Sequence, residues 1–174
     1  GVLFRSVEGL LAVRALRLTI DSQDTRWTEA HPGSLRDHLN KMLDIDPGDS
    51  NALIALERLY EAAERWADLS GIMQRRMELT DDTSYRNTVA LRLGGILETR
   101  LSDRAAAIGL YRDILESERD NRYAIVALES ALGDEDHRLE AIDVLRPVDE
   151  ANHAWRDVAR LLEMRLGSIA DPDA

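Results

Sequence analysis

The sequence predicts an all-α chain, an α-solenoid of antiparallel helix pairs with eight to nine helices, and three observations predict it. Apolar residues recur at helical spacing almost throughout, as in Leu35, Leu39, Met42 and Leu43, then Leu53, Leu56, Leu59 and Tyr60, then Ile72, Met73 and Met77. No sustained period-two alternation competes with them. Aromatics make up 5% of the 174 residues against 44% hydrophobic, so Leu, Ala, Ile and Val carry the apolar load, as suits many helices of modest thickness. The third observation is that the chain repeats itself.

Leu43, Ala52, Ala55, Leu56 and Glu57 recur as Leu115, Ala124, Ala127, Leu128 and Glu129, an offset of 72 residues, or two units of 36. A second echo pairs Glu61, Ala62, Trp66, Asp68, Leu69 and Arg76 with Glu150, Ala151, Trp155, Asp157, Val158 and Arg165 at an offset of 89. The two offsets differ by one helix, which the spacing places at Asp136 to Arg146, before Pro147. A helix pair of this length cannot bury its apolar face alone, so repeated pairs stack.

In chain order, the segments begin with Val2 to Ser6, which match the translation of a common sequencing-library adaptor. Residues 1–6 are therefore expected to be non-native and the chain a fragment of a longer protein. Residues 7–33 read as an N-terminal helix and an irregular connection, 34–168 as the repeat domain, and 169–174 as a tail. Within the repeats, polar breaks fall at Asp46-Pro47-Gly48-Asp49, Thr80 to Ser84, Ser102-Asp103, Arg119-Asp120-Asn121 and Gly133 to Asp136. Ser34 is placed as one N-cap, and Ser102 or Asp103 as another ahead of Ala105 to Leu115. Trp66 and Trp155 each start a helix and are read as packing residues between repeats.

These residues resemble the tetratricopeptide repeat, a 34-residue helix pair, over roughly 34–168. Leu35, Leu39, Met42 and Pro47 show the spacing of its second helix, as do Ala107, Tyr111, Ile114 and Arg119, with Leu and Arg replacing a small residue and a Pro. Leu93-Gly94 resembles the Leu-Gly pair that brings its helices close, Leu56 and Tyr60 its Leu and Tyr positions, and Leu128, Ala141 and Leu145 a further partial unit. Glu57 and Glu129 stand where the family has Gly. The Arg65-Trp66 helix start and Arg76 are also similar to large bacterial repeat proteins of uncertain role. The resemblance implies a concave face of inner helices, here Asn51, Ile54, Arg58, Arg92, Tyr123 and Val126, that takes a peptide or a partner helix.

Nothing in the sequence assembles a catalytic set. Cysteine is absent, and His31, His38, His137 and His153 form no metal-binding spacing. Asp44, Asp46 and Asp49 lack the fifth and sixth residues of a calcium loop, and Asp134 to His137 read as the acidic start of a helix. Gly94-Gly95 lies within a helical run rather than in a phosphate loop. With 22 basic against 33 acidic residues the net charge is −11, which argues against nucleic acid. The most apolar stretch, Leu10 to Ile20, is interrupted by Arg14 and Arg17 and is too short for a membrane span.

The expected function is therefore a non-catalytic protein-interaction scaffold, with no cofactor and no metal. The alternative is a regulatory or structural repeat segment of a larger enzyme whose catalytic domain lies outside this fragment. Arg58 and Arg92 are the expected carboxylate contacts, since Lys41 is the single lysine and lies on an outer-type helix. The sequence leaves partner, oligomeric state and compartment open, with the cytoplasm slightly favoured.

Overall fold

The computed structural model describes residues 32–170, so the expectations for residues 1–31, including the adaptor-like segment and His31, fall outside it, as do residues 171–174 of the tail. The described residues form eight α-helices and no strand: α1 (Pro32–Ile45), α2 (Ser50–Ala62), α3 (Trp66–Glu78), α4 (Thr83–Arg100), α5 (Arg104–Ser117), α6 (Arg122–Ala131), α7 (Arg138–Ala151) and α8 (Trp155–Ala170). The fold class is the all-α stack of antiparallel helix pairs that the sequence predicts. No helix among the described residues is long and apolar enough to cross a membrane.

The chain divides into two compact units, one ending at Leu79 and one starting at Thr80. In the first, α1 packs on α2 and α2 on α3. Leu35, Leu39 and Leu43 of α1, Leu53, Leu56 and Tyr60 of α2, and Leu69 and Met73 of α3 form its core. Among its described residues the one buried charge, Glu57, is met by Arg76 from α3. Burying a carboxylate demands such a partner, because an unpaired charge there costs several kcal/mol, on the order of 3–5.

The second unit pairs α4 with α5 most extensively, continues α5 to α6, α6 to α7 and α7 to α8, and lets α5 touch α7 directly. That last contact, between alternate helices, is what stacked pairs produce. Its core runs from Leu93 and Leu97 through Ile108, Tyr111 and Ile114 to Leu128, Ile142, Leu145 and Leu161.

Both echoes are structural. Asp49 caps α2 by accepting from the amides of Asn51 (2.9 Å) and Ala52 (3.0 Å), and Asn121, 72 residues on, caps α6 by accepting from Ala124 (3.1 Å). Ala52 and Ala124 are fully buried, as are Leu56 and Leu128. The second echo is a helix stop. Glu64 and His153, 89 residues apart, both take the left-handed conformation (φ 53° and 56°). The following amides reach back five residues, Arg65 to the Tyr60 carbonyl (2.8 Å) and Ala154 to that of Asp149 (2.9 Å). That geometry is a Schellman stop, closing each helix before the tryptophan that begins the next.

Several boundaries differ from expectation. Helix α1 begins at Pro32, not behind a Ser34 cap, since proline's missing N–H costs nothing in a first turn. Thr83 and Ser84 are helical, because Asp82 caps α4 by accepting from the Tyr85 amide (3.1 Å). The additional helix does not stop before Pro147; α7 runs through it to Ala151, losing one ladder hydrogen bond but gaining the burial of Val148. The pairing of Trp155 between repeats is also corrected. It is 61% exposed, with its ring 5.8 Å from that of His153, because a first-turn side chain leans off the end of its helix.

Gly94 and Gly95 test the packing, since a Cβ on Gly94 would come within 2.6 Å of the buried Tyr111 ring, while one on Gly95 would touch nothing within 4 Å. Gly94→Ala is expected to destabilise by about 1–2 kcal/mol, the displacement of a buried ring outweighing the gain in helix propensity. Gly95→Ala is expected to stabilise by about 0.5–1 kcal/mol. Urea unfolding of both variants checks this, and equal effects would show that Tyr111 does not set the helix spacing.

Candidate functional site

The six residues assigned to an inner face divide between the units. Asn51, Ile54 and Arg58 lie on α2 at spacings of three and four, so they share one face, with Asn51 and Arg58 exposed and Ile54 half-buried. Arg92 lies on α4, and Tyr123 and Val126 on α6, all exposed. Within the second unit Arg92 and Tyr123 come to the same hollow. They border an open hollow of about 410 Å³ whose walls are Thr88, Leu91 and Arg92 of α4 and Tyr123 and Ala127 of α6, with Tyr111 of α5 beneath. Val126 lies outside that lining.

Two polar clusters tie together the elements around the hollow. At one end Asn87 donates to Ser117 Oγ (3.0 Å) and Glu118 Oε2 (3.3 Å), and the Asn121 amide donates to the same carboxylate (3.0 Å). This ties the start of α4 to the α5–α6 turn. Further along, the Tyr111 hydroxyl donates to Glu98 Oε2 (3.0 Å), Arg104 pairs with Glu98 (3.3 Å), and its other arm meets Asp134 (2.9 Å). Burial pushes the Tyr111 phenol well above its ordinary value, the Glu98 charge and hydrogen bond push the same way, and Arg104 opposes them. Tyr111 is thus a neutral donor across the whole working pH range.

The lining is mainly apolar and carries one charge, Arg92. Its single aliphatic hydroxyl, Thr88, donates to the Ser84 carbonyl (2.9 Å). Such a surface can take an apolar side chain beside an anionic group. Thr88, Leu91 and Ala127 were not singled out from the sequence, although helical spacing from Arg92 and Tyr123 places them on the same faces.

Other candidates resolve into structure. Asp46 Oδ1 accepts from the Gly48 amide (3.0 Å) and Asp49 caps α2, so the aspartates of that turn order its own backbone. Asp134 is held by Arg104 and by the Asp136 amide (3.2 Å), and among the described residues no group of three His, Asp or Glu is placed to hold a metal ion. A second, smaller groove of about 280 Å³ runs between α5 and α7, floored by Leu115, Val144 and Val148. No protein-family model matches the chain, and no curated protein matches it either.

An acidic cluster lies at the far end of this unit. Burial, then the charges of Asp157 and Glu129, raise the Asp149 carboxyl above its ordinary value of 3.8, with Arg160 in opposition. A raised folded-state value means that the contribution to stability is complete below 3.8 and is lost as pH climbs through the folded value. Asp149→Asn is therefore expected to raise the melting temperature at pH 7, with the gain shrinking as pH falls through the folded value and gone below 3.8, and shrinking also as salt screens the repulsion. Thermal melts across pH check this, and a gain that persists in acid would assign it to packing instead.

Proposed function

We propose that this chain is a non-catalytic protein-interaction scaffold of the tetratricopeptide type, taking a peptide or a partner helix in the hollow between α4 and α6. The observation that carries the reading is that hollow itself. Its walls come from alternate helices of the stack, and it unites Arg92 with Tyr123, two residues drawn from different repeats. The type is supported at the positions that carry the resemblance: Leu56, Tyr60, Ala107, Tyr111 and Ile114 are buried, and Gly94 is where α4 meets the Tyr111 ring.

Tyr123 is 76% exposed, an aromatic ring at the edge of a mainly apolar hollow, which is a surface a partner's apolar side chain covers well. Arg92 adds a planar fork of donors suited to a carboxylate. The net charge of −11 opposes any polyanion at long range, so the carboxylate contact expected here is a single local one at Arg92.

Peptide-library display against the full chain tests this, with Arg92→Ala/Tyr123→Ala as the comparison surface. Convergence on a motif pairing an apolar residue with a carboxylate is expected, with affinity about tenfold or more weaker on the double variant, or roughly 1.4 kcal/mol. No enrichment, or enrichment indifferent to both substitutions, would overturn the reading.

A further inference from the structure

The lining of the α4/α6 hollow falls between two polar ties, one at each end. On α4, Thr88, Leu91 and Arg92 lie between Asn87 and Glu98; on the other wall, Tyr123 and Ala127 of α6 lie between Asn121 and Asp134. Those four flanking residues are the ones joined across the gap. At one end Glu118, the residue that closes α5, accepts with a single oxygen from Asn87 (3.3 Å) and from Asn121 (3.0 Å). At the other, Arg104 at the start of α5 reaches Glu98 with Nε (3.3 Å) and Asp134 with Nη1 (2.9 Å). Neither Arg104 nor Glu118 lines the hollow, yet each links its α4 wall to its α6 wall.

The chemistry of both ties makes them stiff. Glu98 gives one oxygen to Arg104 and the other to the Tyr111 hydroxyl, so the same carboxylate sets a wall and the base. The side chains of Glu98, Arg104 and Asp134 are 17%, 32% and 30% exposed, so water screens these pairs only in part. A guanidinium suits this place, because its donors are fixed in one plane and can serve two carboxylates at once. At the opposite end Asn87 and Asn121 are buried, and a buried amide is held to whatever group satisfies it.

We infer that Arg104 and Glu118 are positioning residues for this site, holding α4 and α6 at a fixed separation so that the hollow is formed before its occupant arrives. The inference deepens, and rests on, the reading of the hollow as a place for a peptide or a partner helix. A preformed site avoids the cost of ordering its walls on binding. With a tie removed, α4 and α6 sample other separations, and only the fraction of molecules whose hollow is intact can bind, so apparent affinity falls in proportion to that fraction. The loss falls on association. Once seated, the occupant touches the lining and not the ties, so its dissociation is unchanged.

Because the chain has no cysteine, paired spin labels on the full chain read the separation of the walls with the hollow empty. Labels on Thr99→Cys/Ser130→Cys, exposed positions of α4 and α6 outside the lining, are expected to give a narrow distance distribution that Arg104→Gln broadens. Labels on Ser84→Cys/Arg122→Cys, exposed at the other end, are expected to broaden with Glu118→Ala and to recover with Glu118→Gln, whose amide oxygen still accepts from both asparagines. Should Arg104→Gln unfold the unit, Glu118→Ala, at an exposed position, carries the test. Distributions that neither substitution broadens would overturn the inference. Binding kinetics of the peptide that display selects on the parent form the second measurement. Arg104→Gln/Glu118→Ala is expected to slow association about threefold to tenfold and leave dissociation unchanged, whereas Tyr123→Ala speeds dissociation. Unchanged association in the double variant overturns the inference while the peptide reading stands. If display selects no peptide, the peptide reading fails by itself, and the spin-label distances still decide whether the two ties set the walls.

Discussion

The approach of α4 to α5 at Gly94 is the constraint on which most of the second unit depends. Tyr111 lies where any side chain at residue 94 would be, so the two helices come closer than a Cβ would allow. One turn further along α4, Glu98 receives the hydroxyl of that same ring. A buried phenol without an acceptor costs roughly 1–3 kcal/mol, so the small residue and the acceptor four positions later act together to fix ring, spacing and register. Arg104 then carries the constraint outward through Glu98 to Asp134, in the turn between α6 and α7. The hollow bordered by Arg92 and Tyr123 has this ring as its base, so the candidate site rests on the Gly94–Tyr111 contact.

Repetition of sequence does not guarantee repetition of environment. Glu57 and Glu129 occupy matching positions 72 residues apart, yet Glu57 is buried and paired with Arg76, while Glu129 is exposed and helps to raise the Asp149 carboxyl. The difference follows from the helix that comes next: α3 returns an arginine to α2, whereas α7 brings an aspartate towards α6. In the second unit the returning arginine appears one helix later, where Arg165 of α8 pairs with Asp143 of α7. The 89-residue echo thus preserves a helix stop and an arginine, with different partners for the arginine.

Most of the architecture was legible in the sequence, because helical spacing and short caps act locally. The 72-residue offset places the caps at Asp49 and Asn121 in register, and the Leu-Gly pair at 93–94 does bring helices together. What escaped the sequence depended on context. Left-handed stops at Glu64 and His153 use residues that rarely adopt that conformation, so no Gly or Asn flagged them. Pro147 reads as a helix end locally, and only the burial of Val148 beyond it favours continuation. The exposure of Trp155 could not be read from its recurrence, since an echo reports the position of a residue in a repeat and not which neighbour covers it. For the hollow, Arg92 and Tyr123 were found by counting along a repeat, whereas Thr88, Leu91 and Ala127 required two helices in space.

Native-state hydrogen exchange on the full chain tests the central claim most directly, since it reports the opening free energy of each helix separately. If the Gly94–Tyr111 contact anchors the second unit, its slowest amides lie around Leu93–Leu97 and Ala107–Leu115, with protection falling through α6 and α7. Slowest exchange in α6 or α7, with α4 and α5 opening first, would contradict the account and move the anchor of the unit away from the hollow.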